Sequence, residues 1–156
     1  MSRKKYWTQV SELPKEVFEI LRKPNRSINP ITIVATVDPD GAPRTAPFGS
    51  VRAINPRVLR LTSWYGHDTC SNLRRDGRVM VALLAPPDLA VGILGRAKVL
   101  REKMIADEQH VSLEINIKAV KNDMVRRVKI ETAPSVSIIT GFQDWFNAVL
   151  GEIEDL

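Results

Sequence analysis

Residues 31–63 constrain the fold more tightly than any other part of the chain. Residues 31–37 read Ile-Thr-Ile-Val-Ala-Thr-Val, a run of β-branched side chains that suits a pleated, half-buried surface. Asp38-Pro39-Asp40-Gly41 follows as a turn, with Pro39 presetting φ and Gly41 free to take conformations that other residues resist. A second strand is expected over 44–53, a second turn at Asn55-Pro56-Arg57, and a third strand over 58–63. Three strands joined by turns this short pair antiparallel.

The rest of the chain extends the pattern. Residues 78–84 predict an apolar strand covered on both faces. Residues 89–101 predict a long strand in which Gly92 and Gly95 mark a bulge or a close backbone approach. Val111, Leu113, Ile115, Ile117 and Ala119 alternate with polar residues as a half-buried strand does. Helices are expected over 14–23, over 67–76 with Asp68 or Thr69 as the cap, and at the C-terminus. There Phe142, Trp145, Phe146, Val149, Leu150 and Ile153 form one stripe that should cover a barrel end or a partner subunit. Residues 103–110 fit a helix loosely, and 124–139 show no period. The expected class is therefore mainly β: a curved antiparallel sheet closing into a barrel, with short flanking helices and a C-terminal amphipathic helix over 140–156. Long strands with few helices favour closure, which removes exposed edges. At 156 residues the chain is expected to form one domain over 1–156.

Composition narrows the function classes. Hydrophobic residues are 44% and charged residues 26%, the mix of a folded chain. The longest apolar runs fall far short of the roughly 20 residues that span a bilayer. The basic opening, residues 1–7, lacks the apolar core of a signal peptide. The single cysteine, Cys70, permits no intrachain disulfide and fits a reducing compartment, so a cytoplasmic location is expected. Net charge is +5, but the cations are scattered, and no nucleic-acid-binding motif accompanies them; neither nucleic acid nor membrane is an expected partner. Two histidines and one cysteine do not make a metal site.

One constellation suits an anion. Leu61-Thr62-Ser63 ends a strand, and His67-Asp68-Thr69-Cys70-Ser71-Asn72 opens the helix behind it. A helix start offers unpaired N–H groups and the positive end of a dipole. Thr69 and Ser71 add hydroxyls, and Arg44 on a neighbouring strand adds a guanidinium suited to phosphate oxygens. The same spacing reads equally well as a capped helix beside a solvated arginine.

Residues 31–37 with Asp38-Pro39-Asp40-Gly41-Ala42-Pro43-Arg44-Thr45-Ala46-Pro47 resemble the opening hairpin of the pyridoxamine 5′-phosphate oxidase-like, FMN-binding split-barrel family. Residues 59–63, 72–83 and 95–100 continue the resemblance, so that it covers 13–101. It implies an antiparallel split β-barrel, a homodimer with FMN at the subunit interface and an oxidoreductase acting on a small molecule, with catalytic residues unassigned. Carried over by position, Arg44, Thr45 and Ala46 lie along the flavin, Thr62 and Ser63 flank its ring or ribityl chain, and Asp68, Thr69 and Asn72 surround the phosphate. The oxidase proper has Arg and Lys where this chain has Asp68 and Thr69, and a flavin-directed glutamine falls near Ala90. The C-terminal part also lacks the oxidase's substrate-binding ending. These departures argue against pyridoxamine phosphate oxidation itself. The alternatives on the same barrel are a deazaflavin (F420) reductase and a non-catalytic flavin- or haem-binding module, with His67 or His110 as the axial haem ligand.

Overall fold

The computed structural model describes residues 8–156; the basic opening 1–7 lies outside the described residues. Seven strands form one antiparallel sheet: β1 Thr32–Val37, β2 Pro43–Phe48, β3 Arg52–Asn55, β4 Val58–Trp64, β5 Arg78–Ala85, β6 Leu89–Arg101 and β7 His110–Asn122. Their order across the sheet is β2-β1-β5-β6-β7-β4-β3. Helices α1 Lys15–Leu21, α2 Asp68–Arg75 and α3 Gln143–Asp155 pack around it.

The sheet must curl, and the reason lies in its two edges. β2 and β3 are the outermost strands on opposite sides, yet only residues 49–51 separate them. Four Cα steps from Phe48 to Arg52 reach roughly 14 Å at most. The edges are thus held close together, and the sheet is a split barrel. Ser50 sits in the link: its Oγ donates to Thr62 O and accepts from Thr62 N, both at 3.2 Å. The expected single strand over 44–53 is therefore two strands, because the chain changes edges in the middle of it. Gly49 is required there, since a Cβ would lie 2.7 Å from Ile28 O.

Val34, Leu59, Leu61, Val81, Leu83, Ile93, Leu113 and Ile115 fill the barrel and are fully buried. A second cluster, Met104, Phe146, Val149, Leu150 and Ile153, fixes α3 over one end. Within the expected C-terminal stripe, Phe142 is 54% exposed and Trp145 37%. Phe142 precedes the helix as its N-cap, and Trp145 lies in the first turn against His110 at the start of β7.

Three further expectations are corrected. Within one chain β5 is covered on one face only: buried Val79, Val81 and Leu83 alternate with exposed Met80, Ala82 and Leu84, because its neighbours are antiparallel strands rather than crossover helices. No helix forms over 103–110: residues 103–109 are turns, bends and irregular backbone, and His110 begins β7; Met104 N–H donates to His110 O at 3.0 Å and closes the wide hairpin between β6 and β7. The cap of α2 is His67, whose Nδ1 accepts from Thr69 N at 3.1 Å, in place of Asp68 or Thr69. The glycines of β6 behave as expected: the register shifts at Leu94/Gly95, and a Cβ on Gly95 would come within 2.6 Å of Asn116 O. Residues 124–139 carry no helix or strand. No helix among the described residues is long and apolar enough to cross a membrane.

Candidate functional site

Arg44 stands on edge strand β2, paired to Thr36 of β1, so its side chain leaves the barrel wall toward the start of α2. There it joins Asp38, Asp40, Asp68, Ser71, Asn72 and Arg75 around a cleft of about 390 Å³. Arg44 Nε lies 2.8 and 3.0 Å from the two carboxylate oxygens of Asp38. Its Nη1 is 3.7 Å from Asp68 Oδ2. Asp38 is anchored in turn by Asn72 Nδ2 at 2.9 Å, and the same amide reaches Thr36 Oγ1 at 3.0 Å. Arg75 donates to Asn72 Oδ1 at 3.1 Å and to Val37 O.

The electrostatics follow from these contacts. The hydrogen bonds from Arg44 and then Asn72 hold the Asp38 carboxyl below its usual range, and Asp38 raises the Arg44 pKa in return. Asp38 grips Arg44 through Nε, while Nη1 lies beyond hydrogen-bond distance of Asp68. Three carboxylates and two guanidiniums therefore line one cleft at a helix start, with one arginine held in a fixed orientation.

The residues singled out in the sequence divide into two groups. Arg44, Asp68 and Asn72 meet at this cleft. Thr45 is exposed on β2 and Ala46 buried beneath it. Thr69 is buried, and its Oγ1 has no hydrogen-bond partner among the described residues. Thr62 and Ser63 lie elsewhere, on a second cavity of about 230 Å³ between the end of β4, the 49–51 link and α3. Their hydroxyls point to internal partners: Thr62 Oγ1 to Met104 Sδ at 2.9 Å, Ser63 Oγ to Trp64 O at 3.2 Å.

Sequence reasoning missed Asp38 and Arg75 as parts of the first cleft. Asp38 read as a turn residue and Arg75 as a helix-end cation, and only the hairpin's fold-back onto α2 joins them. It also missed Asp107, which connects two aromatic residues at the second cavity. No group of three or more potential metal ligands occurs among the described residues.

A family model described as pyridoxamine 5′-phosphate oxidase matches residues 13–138. The chain belongs to that family. The match runs well beyond β6, through β7 and into the irregular segment that follows. Solved structures agree on the fold. A provisionally named pyridoxamine 5′-phosphate oxidase of Lactobacillus delbrueckii superposes with a TM-score of 0.61 at 22% identity, covering 74% of this chain and 98% of that one. HupZ of Group A Streptococcus gives 0.56 at 16% identity, over 80% and 99% of the two chains. A structure described as an F420 reductase gives 0.56 at 17%, over 70% and 98%. At these identities the likeness is one of fold. No curated protein matches the sequence significantly.

Proposed function

We propose that this family member is an FMN-binding oxidoreductase that acts on a small molecule as a homodimer in the cytoplasm, and that its substrate is not pyridoxamine 5′-phosphate. The observation that carries this reading is the orientation of Arg44. A phosphate needs terminal N–H groups presented in a fork, and Asp38 holds the arginine by its other face. Asp38 thus serves as a positioning residue for the cation. Arg75, the Ser71 hydroxyl and those first-turn N–H groups of α2 that His67 does not take up complete a donor set that fits a phosphate monoester. Asp40 and Asp68 weaken the site, which is why an arginine held in place matters.

FMN, once bound, supplies the two-electron chemistry, while the protein orients it and tunes its surroundings. Thr45 and Ala46 would run alongside it on β2, and Thr69 would lend the first turn of α2. Thr62 and Ser63 would support the flavin through the backbone at the end of β4, since their hydroxyls are engaged internally.

The outer face of the sheet supports the dimer. Ile33, Met80, Leu84 and Leu94 are between 37% and 45% exposed on three adjacent strands. Met80 faces Leu94 in the ladder, and Ile33 faces Ala82. Such a continuous apolar patch marks an interaction surface.

Denaturing the purified protein and weighing the released small molecule tests the reading. FMN is the expected mass. A deazaflavin would move the protein to the F420 reductases, and a Soret band in the intact protein would make it a haem module.

A further inference from the structure

Cations that are scattered along the sequence meet at one end of the barrel. Past β7 the chain turns over the β5–β6 hairpin and is tied to it at both ends. Asp123 N–H donates to Ala90 O at 2.9 Å, and Ile130 N–H donates to Pro87 O at 2.8 Å. The loop between these ties stands away from the hairpin and encloses about 700 Å³ with Pro87 and Asp88. Met124 is buried and anchors it, whereas Val125 and Val128 are 65% and 61% exposed. Arg126, Arg127 and Lys129 are exposed between and beside them.

The opening of the chain enters at the same place. Val10 and Val120 exchange backbone hydrogen bonds of 2.9 and 2.7 Å in an antiparallel bridge. Thr8 therefore stands beside Asn122, and both line one small apolar cavity. Residues 1–7, which precede Thr8, include Arg3, Lys4, Lys5, Tyr6 and Trp7. At about 3.8 Å per residue, covalent attachment keeps Lys5 within roughly 11 Å of Thr8. The carboxylates nearby, Glu16, Asp88, Asp123 and Glu131, are fewer than these cations with Lys121. Lys121 pairs with Asp123 at 3.3 Å and Lys129 with Glu131 at 3.6 Å.

The mixture selects the partner. A nucleic acid would meet the cations but would give two exposed valines nothing to enter. An anionic lipid surface takes both, with charge at its headgroups and apolar chains beneath. We propose that this end of the barrel lies on an anionic membrane surface, with Val125 and Val128 in the headgroup region and Arg127, Lys129 and the basic opening against the lipid charges. The contact is independent of the flavin reading. The cleft of Arg44 lies toward the Arg78 end of β5 and the loop at its Ala85 end, so the eight residues of that strand put about 24 Å between them.

Sedimentation of the full-length protein with vesicles tests this. Phosphatidylcholine vesicles carrying one-quarter phosphatidylserine should bind it at about 0.15 M salt and release it as salt rises. Pure phosphatidylcholine vesicles should not bind it. One cation near an anionic surface is worth about fivefold in binding, so Arg127→Asn with Lys129→Gln should weaken binding about 25-fold. Asn suits position 127, where φ is 72°. Arg3→Gln, Lys4→Gln and Lys5→Gln together should weaken it about a hundredfold. Val125→Ser with Val128→Ser should weaken it roughly tenfold. The loop variants change exposed side chains, and an unchanged midpoint in urea verifies that they fold. Equal binding to the two kinds of vesicle, no binding to either, or insensitivity to either set of charge changes overturns the proposal. An unweakened valine variant also overturns it, and binding of duplex DNA would then identify the partner as nucleic acid. A valine variant that sediments as a monomer where the parent is a dimer overturns it too, because the loop would belong to the subunit interface. Vesicle binding by a protein that holds no FMN would keep this proposal and sink the flavin reading.

Discussion

Arg44 and Arg52 carry the same charge in opposite settings. Arg44 is half-exposed and pairs with carboxylates. Arg52 is fully buried and has no carboxylate on its guanidinium among the described residues; it donates instead to the carbonyls of Asn25, Ser27, Gly49 and Val51 at 2.6–3.1 Å. Burial pulls its pKa down to about 10, opposed by the nearby Glu154. It stitches the 25–27 loop to the link between the two sheet edges. Arg52→Leu would leave four carbonyls without that donor, so a stability loss of about 3–5 kcal/mol is expected, read as a lower midpoint in urea with an unchanged slope. Arg44→Ala should leave that midpoint nearly unmoved and weaken FMN about ten- to a hundredfold, since a hydrogen bond to a charged group is worth roughly 1.5–3 kcal/mol. Riboflavin, which lacks the phosphate, is the control. Equal weakening of both ligands by Arg44→Ala would refute the phosphate assignment.

At the scale of elements, α3 is the part whose attachment depends on polar contacts as well as packing. Glu152 accepts from Ile105 N at 3.0 Å, Ala106 N at 2.7 Å and Arg101 at 3.0 Å, which ties the helix to the 103–110 turn. Arg60 Nη1 reaches Ile153 O at 3.0 Å, and Arg26 pairs with the buried Glu154. Burial of Glu152 raises its pKa, but the two backbone N–H groups and Arg101 outweigh that and hold it below the ordinary 4.5. A carboxyl with a depressed folded pKa stabilises above its unfolded value and loses that contribution as pH falls through the folded one. The α3 attachment should therefore hold from neutral pH down to about 4.5 and loosen below it, seen as a tryptophan fluorescence change that Glu152→Gln removes. Packing gives a second test. Phe146 is 4% exposed, so Phe146→Ala should cost about 3–5 kcal/mol, whereas Trp145→Ala, at a position 37% exposed, should cost clearly less.

At the scale of the whole molecule, the curled sheet leaves an outer surface on β1, β5 and β6 that nothing in one chain covers. Burying it against a second copy should give an interface larger than the roughly 1,600 Å² of a standard complex. Met80→Glu would place a charge at its centre, opposite Leu94. Sedimentation should then show a folded monomer where the parent protein is a dimer. A parent protein that stays monomeric at micromolar concentration would refute the homodimer.

Much of this was legible in one dimension because it is local. The β-branched run of β1, the Asp-Pro-Asp-Gly turn, the full length of β6 with its glycines and the alternation of β7 are written in side-chain periods. Each needs only neighbours a few residues away. The helix start at α2 and the arginine of β2 could be suspected as partners for the same reason, since the hairpin and the helix have their own signals. What stayed hidden depends on contacts between distant residues. The break between β2 and β3 arises because the chain jumps from one edge of the sheet to the other, and nothing within residues 44–53 announces that. Tertiary structure also set the roles of identical chemistry. Arg52 is internal scaffolding and Arg44 is available, although both sit in β-patterned sequence. Asp38 orients Arg44 only because Asn72, 34 residues later, holds it in place. Trp145 continues an apolar stripe, yet its indole braces Asp107 at the cavity mouth. Periodicity reports which face of an element is apolar. How far along the element the core extends, and which charges meet beyond it, is settled by the closure of the sheet.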